Sequence, residues 1–535
     1  MTVAATTGVA TVRILVADPI ANDGVERLRA AGEVVVATGL SLEELKVRIA
    51  DVDALVVRSE TKVTAEVFEA APRLRVVGRA GVGVDNIDLE AATRHGVLVL
   101  NAPTGNTIAA AEHTIGMMLA MARNISRADA SMHAGRWDRK AFMGTELREK
   151  TLGLLGLGKI GFEVARTASQ GLKMRVIADD PLVTAERAEQ AGAELVDFET
   201  LLAQSDFLTV HVPLNDKTRG VIGAAELARM KKGARLINVA RGGIIDEQAL
   251  ADAVREGHIG GAAIDVFTKE PILPENPLLS VPELVLTPHL GASTTEAQVN
   301  VATDVADQIV QYLGGVGPRY AVNLPSIQPE EMARLQPYLI LAEKMGSLAA
   351  QLAGEKVSRV VCSYAGELSK VEPSPLTAEV LRGLFSHFTD TRVNAINAKL
   401  VAKDHGVAVE ERTTTRDLDH ADALLVEVIG GTRLTLVGTQ FEGQPRITRI
   451  DDFRVDMDPT GLFLVVQHND RPGVVAKVSG LLASNDINIA GIELGRDRPR
   501  GRAVMLIQVD DPVGPELQLA LQAVADLESL RVVTL

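Results

Sequence analysis

Cysteine is almost absent from this chain, since Cys362 is the only one among its 535 residues. A single cysteine cannot form an intramolecular disulfide, which is typical of proteins in a reducing cytosol. Residues 1–11 contain neither the apolar stretch of a signal peptide nor the early Lys and Arg of a transit peptide. We therefore expect a cytoplasmic protein.

The chain also has few aromatic residues, no excess of positive charge and no long apolar runs. Aromatics make up 3% of the chain and hydrophobic residues 46%, so Val, Leu, Ile and Ala must fill the cores, as in strands buried on both faces of a parallel sheet. The net charge of −15 argues against nucleic acids and anionic membranes as partners, because both select basic surfaces. No run of about 18 apolar residues indicates a membrane span.

Short aliphatic runs alternate with helical segments through the first half of the chain, which is typical of an α/β fold with parallel sheets. One predicted sheet takes its strands from 13–18, 54–58, 74–79 and 96–101. The next, a complete dinucleotide-binding sheet, takes them from 151–156, 174–178, 207–212, 234–239, 261–265 and 284–287. Residues 462–535 follow the βαββαβ order of a ferredoxin-like domain. Turn-rich breaks at 323–329 and 456–461 predict that this tail folds as a separate unit.

The segment Gly156-Leu-Gly158-Lys-Ile-Gly161 follows a predicted strand and opens a predicted helix. In that context the first Gly allows a tight turn, the second lets a pyrophosphate approach the backbone, and the third lets helix and strand pack closely. Asp179 and Asp180 end the next strand, where an acid can bind the adenosine ribose, and we favour Asp180. No adjacent Arg follows to bind a 2′-phosphate, which favours NAD over NADP.

Arg241, Glu270 and His289 each follow a predicted strand of the second sheet. The carboxyl ends of such strands face the ligand crevice. Arg241 can hold a carboxylate with two hydrogen bonds, His289 can exchange a proton near neutral pH, and Glu270 can orient the imidazole. Each residue alone could be an ordinary surface or loop residue, so the prediction of a reaction centre rests on their joint placement.

The motifs GLGKIG (156–161), NVARGGIIDE (238–247), AAIDVFTKEP (262–271) and TPHLGAST (287–294) resemble those of the D-2-hydroxyacid dehydrogenases. The resemblance implies that Arg241, Glu270 and His289 are catalytic, and that a Rossmann-type NAD domain is inserted in a discontinuous flavodoxin-like substrate domain. The NAD contacts that it implies are Gly156, Gly158, Lys159, Ile160, Gly161, Asp180, Val212, Pro213, Val239, Ala240, Arg241, Asp265, His289, Gly291 and Ala292. The expected domains are 12–107 (substrate, first part), 108–294 (NAD), 295–322 (substrate, returning helix), 323–455 (an α+β intervening domain) and 456–535 (tail).

Four further segments are similar to the branch of that family that oxidises 3-phospho-D-glycerate to 3-phosphooxypyruvate with NAD, the first step of L-serine biosynthesis. They are VVRSETKVT (56–64), VVGRAGVGVDNID (76–88), NAPTGNTIAAAEH (101–113) and GRWDRKAFMGTEL (135–147). The likeness implies substrate contacts at Arg58, Ser59, Arg79, Gly81, Val82, Asn101, Arg139 and Lys140, of which the last two reach the neighbouring subunit's active site. Two alternatives stay open: a glycerate or hydroxypyruvate reductase, and a non-enzymatic NADH-sensing corepressor-like protein.

The tail motif His468-Asn-Asp470-Arg-Pro-Gly, followed by Asp486-Ile-Asn488-Ile, resembles an ACT domain, a small-molecule sensor. The carboxylate of Asp470 can accept an amino group or cap the following helix, and Asn488 can bind a carboxyl or hydroxyl group. In the family such domains pair and bind L-serine between them, which implies an effector site at His468, Asp470 and Asn488, and a homo-oligomer, expected to be a tetramer. Residues 330–455 resemble the intervening domain of longer family members, and no metal site is expected.

Overall fold

The computed structural model describes residues 11–324, 329–354, 356–389, 392–414 and 420–535. The predicted lead-in at 1–11 lies almost wholly outside these residues. The described chain builds two parallel sheets in its first half and two mainly antiparallel sheets after them. Within these ranges, no helix combines the length and hydropathy that crossing a bilayer requires.

The first sheet is parallel, has the strand order β2-β1-β3-β4-β5 and is flanked by short helices. Its strands are β1 (Arg13–Val16), β2 (Glu33–Val36), β3 (Ala54–Val57), β4 (Val76–Arg79) and β5 (Leu98–Asn101), and its helices are α1 (Asn22–Leu28), α2 (Leu42–Ile49), α3 (Ala65–Glu69) and α4 (Leu89–Arg94). This is the flavodoxin-like order, which confirms the expected fold of this region. The strand β2 is an addition to the four predicted strands.

The second sheet is also parallel, with the order β12-β11-β10-β9-β6-β7-β8. Its strands are β6 (Thr151–Leu155), β7 (Arg175–Asp179), β8 (Glu194–Leu195), β9 (Phe207–Val210), β10 (Arg235–Asn238), β11 (Gly261–Ile264) and β12 (Val285–Leu286). The surrounding helices are α5 (Thr107–Ala122), α6 (Ile125–His133), α7 (Lys159–Arg166), α8 (Ala185–Gln190), α9 (Phe198–Gln204), α10 (Ala224–Arg229) and α11 (Glu247–Arg255). The strand order reverses between β6 and β9, which is where ligands bind in Rossmann-type sheets.

The chain then returns to the first sheet through α12 (Thr295–Leu313). Its apolar face, which includes Val305 and Ile309, shares a buried core with β1, β4 and β5. Two glycines allow the close approach: a Cβ on Gly24 would lie 2.9 Å from the Ala302 carbonyl oxygen, and a Cβ on Gly78 would lie 2.5 Å from the Val305 side chain. The first sheet is therefore completed by a distant segment, in agreement with the discontinuous fold that the family resemblance implies.

The third sheet has the order β14-β13-β15-β16-β17-β18, with one parallel pair between β13 and β14. Its elements are α13 (Pro329–Ala353), β13 (Val357–Ala365), α14 (Ser374–Phe385), α15 (Ala398–Asp404), β14 (Ala408–Thr413), β15 (Ala423–Gly430), β16 (Arg433–Phe441), β17 (Gln444–Ile450) and β18 (Phe453–Met457). The long helix α13 packs against α14 and one face of the sheet. Single turns of 3-10 helix occur at Arg139–Phe142, Pro277–Ser280 and Gly366–Lys370, and a π-helical turn at Thr167–Gly171.

The tail has the order β20-β21-β19-β22, the ferredoxin-like arrangement expected of it. Its elements are β19 (Leu462–Asn469), α16 (Val474–Ser484), β20 (Ile489–Arg496), β21 (Arg502–Val509), α17 (Pro515–Gln522) and β22 (Leu527–Thr534). One face of this sheet packs under α16 and α17.

The other face of the tail sheet does not form a core of its own. Its side chains Phe463, Val465, Val504, Leu506 and Val533 belong to the same buried cluster as α13, α14 and the third sheet. Gln351 of α13 adds hydrogen bonds to the main chain of Thr534 at 2.9 and 3.0 Å. The turn-rich break at 456–461 thus separates two sheets that bury apolar faces against a common core, and the separate folding of the tail stays a prediction.

Candidate active site

A cleft of about 370 Å³ lies between the first two sheet units, at the carboxyl ends of the parallel strands. Both units contribute to its wall. It is lined by Val82, Gly83, Val84, Asp85, Asn106, Ala110, Ile160, His211, Val212, Pro213, Leu214, Val239, Ala240, Arg241, His289, Gly291 and Ala292. Most of the residues that the family resemblance implies for cofactor and substrate are therefore at or next to one cleft.

Each of the three glycines in the 156–161 loop lacks a side chain for a different structural reason. Gly156 has φ +95°, and a Cβ there would lie 2.9 Å from the main chain of His211. A Cβ on Gly161 would lie 2.4 Å from the Gly156 carbonyl oxygen, so α7 can pack on the loop only without a side chain there. Gly158 caps α7 and has open space where its Cβ would be. Free N–H groups at a helix start and a gap above them fit the pyrophosphate of a dinucleotide.

Asp180 lies directly beside this loop. Its Oδ2 accepts a hydrogen bond from the N–H of Leu157 at 2.8 Å and its Oδ1 one from the N–H of Leu182 at 2.9 Å. The neighbouring Asp179 is half-buried, and burial together with the charge of Asp180 raises the pKa of Asp179. The carboxylate of Asp180 is thus fixed at the end of β7, in the place expected of a ribose-binding acid.

His289 and Glu270 form a close pair at the cleft. His289 Nδ1 lies 2.7 Å from Glu270 Oε2, and Glu270 Oε1 accepts the N–H of Phe267 at 3.0 Å. Burial alone would raise the pKa of Glu270, but the hydrogen bonds from His289 and Phe267 hold it below its ordinary value. Because Nδ1–H donates to the carboxylate, Nε2 carries the lone pair that can accept a proton.

Three arginines converge at the substrate side of the cleft. Arg241 Nε lies 3.2 Å from Asp85 Oδ2, and its Nη1 donates to the Ala240 carbonyl at 2.7 Å. Burial, together with the charges of Arg241 and Arg58, lowers the pKa of Arg79 to about 10. The Nε of Arg79 is buried and has no hydrogen-bond partner among the described residues. The mutual repulsion of these positive charges favours the binding of an anion between them.

Side-chain hydrogen bonds to the main chain fix the loops that carry these arginines. Asp18 is buried, and its Oδ2 accepts the N–H of Arg58 at 2.6 Å. Asn101 Nδ2 donates to the Val82 carbonyl at 2.6 Å. Gly81 has φ +155°, and a Cβ there would overlap the guanidinium of Arg79. Ser59 is exposed beside Arg58.

Arg139 and Lys140 are exposed and do not line the cleft of their own chain. They form a single 3-10 turn next to two highly exposed apolar side chains, Trp137 at 74% and Met143 at 84%. The structure therefore does not bring these two predicted substrate residues to the other ones. Lys159 lies at the loop, with Nζ 5.8 Å from the Tyr320 ring centre.

Sequence reasoning assigned no role to several residues of the cleft wall. Asp85 pairs with Arg241 across 156 positions of chain, and no local pattern reports such a contact. His211 follows β9, and burial lowers its pKa to about 4, so the ring is neutral at physiological pH. Its Nε2 lies 3.0 Å from Thr209 Oγ1. The sequence could have indicated His211, because it lies at the carboxyl end of a predicted parallel strand, where ligands bind.

The tail residues expected to bind an effector are at opposite ends of their sheet. His468 is 2% exposed, and its Nε2 is buried with no partner in the described chain. Asp470 accepts the N–H of Arg500 at 2.9 Å and lies 3.4 Å from Arg496 Nη1; these contacts lower the pKa of Asp470. Asp470 is thus near the last residue of β20. Asn488 precedes the first residue of β20, and its Nδ2 donates there to Asp510 Oδ2.

Within the described ranges, no group of three or more His, Cys, Asp and Glu side chains could hold a metal ion.

Comparisons with known proteins agree with this architecture. Three family models match: the NAD-binding domain of D-isomer specific 2-hydroxyacid dehydrogenases at residues 115–291, the D-3-phosphoglycerate dehydrogenase intervening domain at 334–451, and the ACT domain at 463–526. The D-3-phosphoglycerate dehydrogenase of Archaeoglobus fulgidus is 47% identical over 94% of this chain and 96% of its own length. That of Bacillus subtilis is 41% identical over 98% of this chain and 99% of its own.

Solved structures match a little over half of the chain. A glyoxylate reductase from Paecilomyes thermophila is 30% identical with a TM-score of 0.54, covering 58% of this chain and 98% of its own. An NAD-dependent formate dehydrogenase from Staphylococcus aureus in complex with NAD is 27% identical with a TM-score of 0.52, covering 57% and 96%.

Proposed function

The chain belongs to the D-3-phosphoglycerate dehydrogenase family of NAD-dependent D-2-hydroxyacid dehydrogenases, and from that premise we propose which of its residues carry the reaction and its control. The reaction oxidises 3-phospho-D-glycerate to 3-phosphooxypyruvate. The C2–H and O–H bonds break, a C=O bond forms at C2, and one proton is released to the protein.

The loop 156–161 and the residues after β9, β10 and β12 form the proposed cofactor site. The start of α7 at Gly158 would hold the pyrophosphate and Asp180 the adenosine ribose, while Val212 and Pro213 line the cleft beside them. Lys159 and Ile160 begin the helix at the loop. The hydride that leaves C2 would pass to the nicotinamide of NAD bound at this site.

His289 takes the hydroxyl proton on Nε2. Glu270 holds the imidazole by its Nδ1–H and stabilises the imidazolium that forms, because a carboxylate 2.7 Å away favours the charged ring. Arg241 binds the C1 carboxylate and the C2 oxygen, and its contact with Asp85 fixes the guanidinium at the cleft. The N–H groups near Gly81 and Val82 also bind the carboxylate.

The observation that carries the substrate assignment is the buried, partly unbonded guanidinium of Arg79 facing two further arginines. A dianionic phosphate would supply the missing acceptors and relieve the repulsion between the three cations. Glycerate, which has no phosphate, would leave that repulsion in place. Arg58, Ser59, Arg79 and Asn101 are therefore the proposed phosphate side of the site.

Substituting these arginines tests the assignment. Arg58→Ala and Arg79→Ala should each raise KM for 3-phosphoglycerate by about tenfold to a hundredfold, since a charged hydrogen bond contributes about 1.5–3 kcal/mol. KM for glycerate should change much less. Arg48→Ala, an exposed arginine on α2, is the matched control. An equal rise of KM for both substrates, or no rise, would contradict the phosphate role.

L-Serine is the proposed effector of the ACT domain. Asp470 and Asn488 lie at opposite ends of the eight-residue strand β20, roughly 25 Å apart at about 3.3 Å per residue. One serine cannot contact both within a chain. If two copies pair antiparallel along β20, Asp470 of one copy meets Asn488 of the other. The strand is an edge of its sheet and exposes Ile492 and Leu494, which supports such pairing.

Calorimetry on the full chain tests this site. Serine binding should weaken in both Asp470→Ala and Asn488→Ala, because each removes one half of a shared site, and should be unchanged in Glu516→Ala on α17. KM for 3-phosphoglycerate should stay the same in all three. No heat at millimolar serine in the wild type would remove serine as the ligand and leave the tail to another amino acid or to assembly.

A homotetramer is the proposed assembly. Two separate surfaces of the chain suit contact with a second copy: the β20 edge, and the exposed Trp137 and Met143 around Arg139 and Lys140. Two independent two-fold contacts generate a tetramer, in which Arg139 and Lys140 would reach the neighbour's cleft. Light scattering should give four chains for the wild type and two for Trp137→Glu. A monomeric wild type would contradict the proposal.

The cytosol is the proposed location. The single cysteine, Cys362, is buried, and burial raises the pKa of its thiol to about 12, so the thiol is not exposed or ionised for disulfide exchange at neutral pH, as suits a reducing compartment. Cell fractionation tests this, and recovery with an organelle or membrane fraction would contradict it.

A further inference from the structure

A fully buried carboxylate holds the turn that carries His289. Asp265 is 0% exposed. Its Oδ1 accepts hydrogen bonds from Thr287 Oγ1 at 2.5 Å and from the N–H of Leu290 at 2.8 Å, and its Oδ2 accepts the N–H of Gly291 at 2.9 Å. Its main-chain oxygen accepts the N–H of His289 itself at 2.8 Å. One residue thus fixes the chain on both sides of the imidazole.

This turn requires such fixing. His289 has φ +56°, in the left-handed region that residues with a side chain rarely adopt. A backbone in that region persists only where surrounding contacts determine it. The side chain of His289 is also half-exposed, so packing alone does not hold the ring in place. The bonds to Asp265 therefore hold the backbone of the turn, while Glu270 holds the imidazole ring that the turn carries.

A second histidine reaches the same carboxylate from another element. His113 lies on α5, and its Nε2 is 3.2 Å from Asp265 Oδ1 and 3.3 Å from Thr287 Oγ1. Its side chain is 22% exposed. Burial would raise the pKa of Asp265, but the hydrogen bonds from His113, Thr287 and Leu290 hold it below its ordinary value. The carboxylate must be ionised to accept all four hydrogen bonds. Among the described residues, three of the donors lie in the loop after β12, and the fourth, His113, lies on α5.

We propose that His113 is a positioning residue for the oxidation: its Nε2–H donates to Asp265 and so holds the left-handed turn at His289 in its reactive orientation. The inference rests on the proposed role of His289. Since α5 starts at the cleft, where Asn106 and Ala110 line the wall, this bond also ties the reaction turn to the segment where the chain crosses between the two units.

Three histidine variants test the role. His113→Leu should lower kcat by about tenfold to a hundredfold, the range for losing a hydrogen bond to a charged group, with KM for 3-phosphoglycerate within about threefold. His113→Gln keeps an N–H donor and should restore most of kcat. His258→Leu is the matched control, since it removes an imidazole bond to the Leu227 carbonyl at 3.0 Å in the same unit.

Melting temperature and NADH affinity, followed by fluorescence, are measured on each variant. We expect His113→Leu and His258→Leu to lose similar stability, and only the former to lose kcat. Equal kcat in both Leu variants would overturn the proposal, and so would a Gln variant as slow as the Leu variant. If the wild type turned over glycerate instead of 3-phosphoglycerate, the function would be wrong, and the same series on glycerate would still decide the role of His113.

Discussion

At the scale of single residues, the proposed reaction rests on three side chains that come from the ends of three different strands. Arg241, Glu270 and His289 could be predicted because each follows a strand whose end faces the crevice. The structure brings His289 and Glu270 to 2.7 Å and places Arg241 in the same cleft. The contact of Arg241 with Asp85 could not be predicted, since it joins two units through their folded arrangement.

Removing the proposed base should affect turnover and spare binding. His289→Asn should lower kcat by roughly 10²–10⁴, the usual range for general acid–base catalysis. Affinity for NADH should change little, because Asp265 bonds the main chain of His289, Leu290 and Gly291, so replacing the ring leaves this part of the cleft wall in place. Steady-state kinetics and fluorescence titration measure the two effects. Near-normal turnover would exclude His289 as the base.

At the scale of elements, the strands of the two parallel sheets were predictable except for β2 and β8. The interior strand β3 is buried at every position, whereas β2 is half-exposed at an edge and β8 has only two residues. The sequence of β2 is Glu-Val-Val-Val, so its strand signal was present and was missed, whereas two residues are too few for β8 to carry a pattern. The missing strands did not affect the site, since both lie at the outer side of their sheets.

Two glycines of one loop should respond in opposite ways to the same change. Gly158→Ala points a methyl group into open space where the pyrophosphate would bind, so we expect an unchanged melting temperature and about tenfold weaker NAD binding. Gly161→Ala puts a methyl group 2.4 Å from the Gly156 carbonyl oxygen, which should cost about 1–3 kcal/mol of stability. Calorimetric melting and NADH titration compare them, and equal melting temperatures would contradict this interpretation.

At the scale of the whole molecule, turn-rich segments marked changes of sheet but not the limits of the cores. The break at 456–461 looked like a linker, yet Phe463 and Val465 lie just after it in the core of the preceding unit. A sequence read segment by segment contains no signal for which apolar faces meet. Two sheets with complementary faces can therefore share one core across a break.

This shared core predicts an unusual order of stability among truncated chains. Ending the chain at residue 455 removes Val504, Leu506 and Val533 from the common cluster and exposes the apolar face of the third sheet. Ending it at residue 324 removes both partners together. The 1–324 chain should therefore stay soluble and keep catalytic activity, whereas the 1–455 chain should aggregate or be cleaved by protease. Sedimentation and limited proteolysis compare them, and a stable 1–455 chain would contradict the shared core.

The two passages of chain between the parallel-sheet units have a consequence for motion. One enters α5 just after Asn106, and the other enters α12 a few residues after Ala292; both residues line the cleft. Domain closure is usually absorbed by a few residues at the ends of elements. A ligand bound in this cleft would then contact residues at the hinges directly. We expect substitutions at Asn106 and Ala292 to change the rates at which the two lobes open and close, and with them product release, while the proton transfer at His289 stays the same.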